Sequence, residues 1–266
     1  MGFGLIIVGD EILSGKRVDR HFGQVVAILA ERRLTLSWAH YIGDDRLEMT
    51  DLFRRTLAGD DVVFSTGGIG ATPDDHTRQA AAAALSRPLV PHPEAVQLLH
   101  GRIAAQAAEG KVPADLTHPE NRQRLRMAEF PADAVIIPNP VNQIAGFAVE
   151  RHWFVPGFPA MAWPMIEWVL DTHYRDFFPT IATAERAMRI FDVPESAVAP
   201  WMEVVEEAHP GVRAFSLPSM TDDRQHHIEL GVKGEQPAVD HAFEQLLAQA
   251  ETTGARVELV DAPAAG

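Results

Sequence analysis

The chain of 266 residues contains no cysteine, which excludes disulfides and thiolate chemistry and fits a cytoplasmic protein. Cations are also scarce: 23 Lys and Arg stand against 37 Asp and Glu, a formal net charge of −14. Gripping a nucleic-acid backbone needs clustered Lys and Arg to displace counterions, and no such cluster is present, which argues against nucleic acid as a partner. Long apolar runs are missing as well. None approaches the roughly 18 residues that span a bilayer, and no basic segment followed by an apolar stretch opens the chain, so neither membrane insertion nor secretion is expected. What remains is a chain with 46% hydrophobic residues, enough to build the core of one large domain or two smaller ones.

The most informative stretch runs from Ser65 to Arg78, Ser-Thr-Gly-Gly-Ile-Gly-Ala-Thr-Pro-Asp-Asp-His-Thr-Arg. Asp61-Val-Val-Phe64 before it reads as a strand buried on both faces, and Asp75 to Leu85 after it as an alanine-dense helix. Glycines between a buried strand and a helix let backbone N–H groups approach a bound anion, and the helix start adds its positive dipole end. Thr72-Pro73-Asp74-Asp75 also reads simply as a helix cap. Two carboxylates beside a phosphate cradle would repel the phosphate unless a cation intervenes, and Mg2+ is the expected cofactor. The loop lacks the Lys-Ser/Thr ending of a P-loop and is not a G-x-G-x-x-G run.

The same pattern recurs upstream. Phe3 to Val8 is strand-like and ends at Gly9-Asp10-Glu11, with Ser14-Gly15-Lys16 following in the turn. A helix is predicted from Val18 to about Arg33, a strand from Leu34 to Ile42, and then Gly43-Asp44-Asp45 ahead of another helix. Strand, acidic turn and helix three times over imply a mostly parallel sheet with helices on both faces. The carboxyl ends of such strands share one edge, where ligands of open α/β sheets bind. Asp10, Glu11, Asp44, Asp45, Asp74 and Asp75 would all be carried there, although any single pair also reads as a cap or a solvated turn.

Downstream, Arg87 to Pro91 reads as an extended break, Glu94 to Ala108 as a helix, and Gly110 to Pro119 as a loop. Lys111, Arg122, Arg124 and Arg126 are either a positive counterpart for an anion or a solvated basic helix face. Short strands are predicted at 134–137, 144–149 and 153–155, the last ending in Pro156-Gly157-Phe158-Pro159, where the Gly157 N–H is a candidate ligand contact or part of a plain tight turn. Past residue 182 the order strand-helix-strand-strand-helix-strand predicts a small α+β domain of split βαβ type, read as a packing or assembly unit. The adjacent His226 and His227 would point to opposite faces of a strand, which disfavours a shared metal. The expected division is residues 1–175 and 182–266.

Val8 to Glu11 with Ser14-Gly15, Gly43-Asp44, the Thr66 to Asp75 run with Thr77-Arg78, Pro138-Asn139-Pro140, Ala145-Gly146-Phe147 and Pro156-Gly-x-Pro159 together resemble the MoaB/Mog-type molybdopterin-binding domain. More closely, they resemble the first domain of the competence-damage-inducible CinA family. The resemblance implies a three-layer α/β/α domain that binds molybdopterin or an ADP-containing nucleotide, assembles as a homo-oligomer and acts with Mg2+ on a phosphoanhydride. In the Mog branch that is adenylyl transfer to molybdopterin; in CinA-like domains it is hydrolysis of ADP-ribose-like pyrophosphates. By motif position Asp44 and Asp75 match the catalytic acids, with Asp10 and Glu11 joining them around the metal. Gly67, Gly68, Gly70 and Thr72 match the phosphate cradle, flanked by Ser14, Gly15, Thr66 and Gly157. The chain departs from the pattern after the Pro-Gly-x-Pro turn, where Met161 and Trp163 replace an acid and a lysine, and at Val141-Asn142-Gln143, where a glycine usually follows Asn-Pro. Trp163 is open to stacking on a heterocycle or to core packing.

Overall fold

The computed structural model describes residues 1–181, 183–220 and 226–260, and the chain divides into two compact units, Met1–Phe178 and Pro179–Gly266. In chain order the first unit contains β1 (Phe3–Val8), α1 (Asp10–Leu13), α2 (His21–Glu31), β2 (Leu36–Ile42), α3 (Arg46–Leu57) and β3 (Val62–Thr66). It continues with α4 (Thr77–Leu85), β4 (Leu89–Pro91), α5 (Pro93–Ala108), α6 (Pro119–Leu125) and β5 (Glu129–Pro131). β6 (Val135–Ile137), β7 (Gly146–Val149), β8 (His152–Val155) and α7 (Pro159–His173) complete it.

A six-stranded sheet in the order β2-β1-β3-β8-β7-β6 carries the unit, with β2, β1, β3 and β8 mutually parallel and β7 pairing antiparallel with both β8 and β6. The central strands are apolar on both sides because both sides are covered: every residue of β1 and of β3 is buried. The less apolar Ser-Trp-Ala-His segment lies in β2, which is the sheet's edge strand and exposes Tyr41. On one face Leu5, Ile7 and Phe64 pack with Val25, Ile28 and Leu29 of α2 and Met165, Ile166 and Val169 of α7. On the other, Phe130, Phe147 and Phe154 stack at centroid spacings of 4.9 and 4.5 Å, and Phe53 meets Phe154 edge-on at 5.3 Å. Each of these fully buried rings contributes roughly 1.5–3 kcal/mol by removal from water.

Several local expectations change. Asp10 and Glu11 do not sit in an open turn but begin the short α1. The stretch after Arg87 is not a bare break: Leu89–Pro91 pairs antiparallel with Glu129–Pro131. The alanine helix starts at Thr77 rather than Asp75, since Asp75 bonds back to Thr72. The run of alanines lets α4 approach closely, with Ala80, Ala81 and Ala82 buried. Its last turn closes through Ser86 at φ 55.

The second unit contains β9 (Thr183–Phe191), α8 (Glu195–Ala208), β10 (Arg213–Met220), β11 (His226–Glu235), α9 (Gln236–Thr252) and β12 (Val257–Val260). Its four strands form a fully antiparallel sheet in the order β10-β11-β9-β12, the split βαβ arrangement expected from the element order. Leu230, Val232 and Met188 of the sheet pack against Val198 and Val205 of α8 and Phe243 and Leu246 of α9. His227 lies beside the Phe191 ring at 5.5 Å, while His226 is exposed.

Candidate functional site

Because β2, β1 and β3 are adjacent and parallel, their carboxyl ends deliver Asp44, Asp10 and the glycine stretch to one edge. Asp10 and Asp44 meet there reciprocally: the Asp10 N–H donates to Asp44 Oδ2 at 3.0 Å, and the Asp44 N–H donates to Asp10 Oδ1 at 3.2 Å. One oxygen of each carboxylate is thereby fixed by backbone. Partial burial pushes the Asp44 carboxyl above the usual carboxylate range, and the charges of Asp10, Glu11 and Asp74 add to this against the Asp10 N–H. The acidic pair Asp44-Asp45 divides its labour, since Asp45 caps α3 by accepting from the N–H groups of Leu47 at 2.8 Å and Glu48 at 2.9 Å.

The second acidic pair behaves differently from expectation. Asp75 was expected beside Asp44, but its Oδ2 accepts from the Thr72 N–H at 2.8 Å and from the Thr72 hydroxyl, closing its own turn. Asp74 is the member of that pair whose charge reaches Asp44. The Asp74 carboxyl itself is held below the usual range by the Thr72 hydroxyl and by its own backbone N–H. The four acids Asp10, Glu11, Asp44 and Asp75 therefore do not converge. Among the described residues no group of three or more His, Cys, Asp or Glu side chains is arranged around one metal position.

The glycine loop is folded by its left-handed residues. Gly67 has φ 101 and Gly68 φ 66; a Cβ on Gly67 would lie 2.6 Å from the Val8 carbonyl oxygen, and one on Gly68 would strike the Thr77 hydroxyl. The close approach seats the loop directly on the end of β1, next to Asp10. Gly157 meets it from the end of β8, where a Cβ would lie 3.3 Å from Gly67 Cα. The Gly67 N–H, expected to face an anion, instead donates to the Val155 carbonyl at 3.0 Å, and the Thr72 N–H is taken by Asp75. The N–H groups of Gly68, Ile69, Gly70 and Ala71 have no acceptor among the described residues, so the open donors are shifted to the later part of the loop. Thr66 is buried behind them with its hydroxyl unpartnered, and Ser14 and Gly15 lie exposed at the end of α1. The Gly157 carbonyl lies 3.0 Å from His21 Nε2, and the Gly157 N–H, like those of Gly68 to Ala71, has no acceptor among the described residues.

Three residues that hold the loop went unassigned in the sequence. Thr77, fully buried, donates its hydroxyl to the Gly67 carbonyl at 2.9 Å. Arg78, 2% exposed, donates Nη2 to the Gly70 carbonyl at 2.7 Å and Nη1 to the Arg126 carbonyl, and burial lowers its pKa. Gln123 donates to the Ala71 carbonyl from α6. With these carbonyls turned inward, the intervening N–H groups are left for a ligand. In the sequence Thr77 and Arg78 stand only as part of the family motif, with no role of their own, and nothing marks Gln123. Of the expected basic group, Arg124 pairs with Glu120 and Lys111 with Glu109.

At the positions of departure, Met161 Sδ receives the Asn142 side-chain N–H at 3.1 Å, and the Arg20 guanidinium lies 5.7 Å from the Trp163 ring centroid. Asn142 also closes the Asn139 turn by accepting from the Ile144 N–H at 2.9 Å and from Asn139 Nδ2 at 2.8 Å. A hydrogen-bonded corner without a carboxylate–lysine pair stands at the positions where the chain departs from the family pattern.

Fold and edge together define a mostly parallel α/β domain with an open glycine loop and an acidic pair at the carboxyl ends of its strands. Residues 4–176 match the family described as a probable molybdopterin binding domain, and the chain belongs to that family. A CinA-like protein of Geobacter metallireducens is 30% identical over 217 residues, covering 80% of this chain and 50% of its own length. A protein of Pyrobaculum calidifontis is 27% identical over 254 residues, covering 91% of this chain and 93% of its own. The crystal structure of CinA, of unknown function, from Thermoplasma acidophilum has a TM-score of 0.54 and 26% identity, covering 64% of this chain and 98% of its own. This chain thus spans about half the length of the CinA-like relative from Geobacter. The resemblance to the MoaB/Mog and CinA group read from the glycine stretch holds along the first unit. No helix among the described residues is long and apolar enough to cross a membrane.

Proposed function

We propose that the first unit binds an ADP-containing pyrophosphate such as ADP-ribose and cleaves its phosphoanhydride with Mg2+. The observation that carries this reading is the juxtaposition of the reciprocal Asp10–Asp44 pair with the open N–H groups from Gly68 to Ala71. Mg2+ is commonly bound through one or two carboxylates, several waters and the substrate's own phosphates, so a complete protein cage is not required. Asp10 Oδ2 and Asp44 Oδ1, the oxygens not committed to backbone, are the donors that fit such a cation, with Glu11 and Asp74 near enough to add negative charge. When bound, the cation would neutralise phosphate charge and lower the pKa of a coordinated water. The loop N–H groups would hold the phosphates, and Thr77, Arg78 and Gln123 would keep those donors aimed outward. Asp75 serves this reading through the turn it closes.

Purified protein incubated with ADP-ribose and Mg2+ is expected to release AMP. Asp44→Asn is expected to lower the rate by on the order of a hundredfold. Asp45→Ala, which removes the α3 cap, is expected to cost about 1 kcal/mol of stability while turnover persists. An Asp44→Asn rate equal to that of the unsubstituted protein would rule the assignment out.

A second reading, non-catalytic binding of molybdopterin or a nucleotide, is favoured by the uncharged Met161–Asn142 contact and the Arg20–Trp163 contact. Tight binding by calorimetry that EDTA leaves unchanged, with no product over hours, selects it. A product formed only when ATP and molybdopterin are both supplied would select adenylyl transfer.

A further inference from the structure

We propose that a cavity of about 240 Å3 between α5, α6 and the turn leading into β7 binds a small carboxylate carrying a short apolar chain. The floor is apolar, made by Leu99, Ile103, Met127 and Ile144. Its rim is cationic: Arg102, Lys111 and Arg124 line it, and no Asp or Glu does. In a chain of net charge −14 this is a local reversal of sign.

The three cations are not equivalent. Lys111 and Arg124 are paired with Glu109 at 2.6 Å and Glu120 at 3.3 Å, exposed contacts that solvent screens. Arg102 is half-buried, and its one hydrogen bond is from Nη1 to the neutral Asn142 carbonyl at 2.8 Å. It has no carboxylate partner among the described residues. A guanidinium presents five N–H donors in a planar fork that matches a carboxylate, so most of its capacity faces no anion of the protein's own. A solvated basic face would not also need an enclosed apolar floor, and a plain core gap would not place three cations on its rim. Drug-sized ligands occupy roughly 300–1,000 Å3, so this smaller cavity sets a short chain. The site is separate from the glycine loop, and the inference stands whether or not the protein hydrolyses a pyrophosphate.

Octanoate is the probe, titrated calorimetrically into the full chain at low salt, with acetate and 1-octanol as the head-only and chain-only controls. The expected result is saturable octanoate binding at one site, at least tenfold weaker in Arg102→Gln and weakened severalfold in Lys111→Gln, with neither control binding measurably. Circular dichroism establishes that each variant is folded; should Arg102→Gln unfold on losing the Asn142 contact, the exposed Lys111→Gln carries the test. No saturable octanoate binding, acetate or octanol binding as tightly as octanoate, or unchanged affinity in the folded variants would each overturn the proposal.

Discussion

In the first unit polar groups are buried where parallel strands end; in the second they are kept at the surface. Ser65 and Thr66 at the end of β3, His21 at the start of α2, and Arg78, His152 and Trp163 each hold a buried side-chain atom without a hydrogen-bond partner, whereas the second unit contributes only His227 Nδ1 among the described residues. An antiparallel sheet of hairpins and returning strands pairs its backbone internally and leaves charged side chains to solvent, as with Arg189–Glu229 and Arg186–Asp240. Parallel strands stop at turns covered by the helices that follow, and in this chain several polar side-chain atoms are buried there without a partner. The contrast teaches where selection has accepted a cost in stability, and substitutions on the two sides should separate accordingly.

Asp44 should give the largest effect, and of opposite sign in two measurements. Its folded pKa is raised, so relative to the unfolded chain its contribution to stability is full at acid pH and is lost as pH rises through the folded value. At neutral pH the charged carboxylate therefore opposes folding. Asp44→Asn retains an oxygen to accept the Asp10 N–H and removes the repulsion with Asp10, Glu11 and Asp74. The expected outcome at pH 7 is a higher melting temperature together with the loss of turnover; a lower melting temperature would show that the edge is not under electrostatic tension.

Arg78→Met comes next. It leaves the carbonyls of Gly70 and Arg126 without their donor in a buried setting and should cost roughly 2 kcal/mol or more, read from urea unfolding. Ligand affinity at the glycine loop should fall with it, because the loop N–H groups are aimed by that clamp. Stability lost with affinity intact would separate the clamp from the site.

His152 sharpens the same contrast through pH. Its Nε2 lies 2.8 Å from the Thr56 hydroxyl, which itself donates to the Leu52 carbonyl, so Nε2 carries the proton and Nδ1 is an unpartnered lone pair. Burial, with a smaller contribution from Arg151, brings the imidazole down to about 4. A depressed histidine pKa contributes stability that is present above the unfolded value near 6.5 and is lost as pH falls toward 4. Thermal midpoints measured across that window should decline in the unsubstituted protein and decline less in His152→Gln.

Much of this was legible in the sequence because the fold repeats one physical device. Apolar β-branched runs ending at glycine and aspartate gave the parallel strands and their shared carboxyl edge; the strand order and the meeting of Asp10 with Asp44 came only with the structure. The order of strands and helices in the second unit gave its split βαβ arrangement. What stayed hidden depends on side-chain direction within turns: that Asp75 bends back to Thr72, that it is the charge of Asp74 that is felt at Asp44, that Asp45 caps a helix, and that the Gly67 N–H is consumed by Val155. Neighbouring carboxylates are interchangeable to any pattern of spacing, and only backbone torsions decide between them. Arg78 belongs to the motif, but its role, like that of Gln123, was unreadable for another reason, since their acceptors are carbonyls, which every residue possesses.

The smallest effect should come from the second unit. The Arg186 guanidinium lies 4.4 Å from the Phe243 ring centroid and Nη1 3.3 Å from Asp240 Oδ1, with side chains 39% and 48% exposed. Solvent screens the ion pair and leaves the ring contact, which is worth roughly 0.5–1 kcal/mol at an exposed site. An arginine's aliphatic stem carries apolar surface of its own, so truncation and neutralisation are separable. Arg186→Ala should cost about 1 kcal/mol, measured by hydrogen exchange of β9 amides, and Arg186→Met, which keeps apolar cover while losing charge, should cost less than half of that. A penalty for Arg186→Met as large as that for Arg78→Met would mean that charge is as consequential on this open sheet as beneath the glycine loop, and burial would no longer explain why the two units differ.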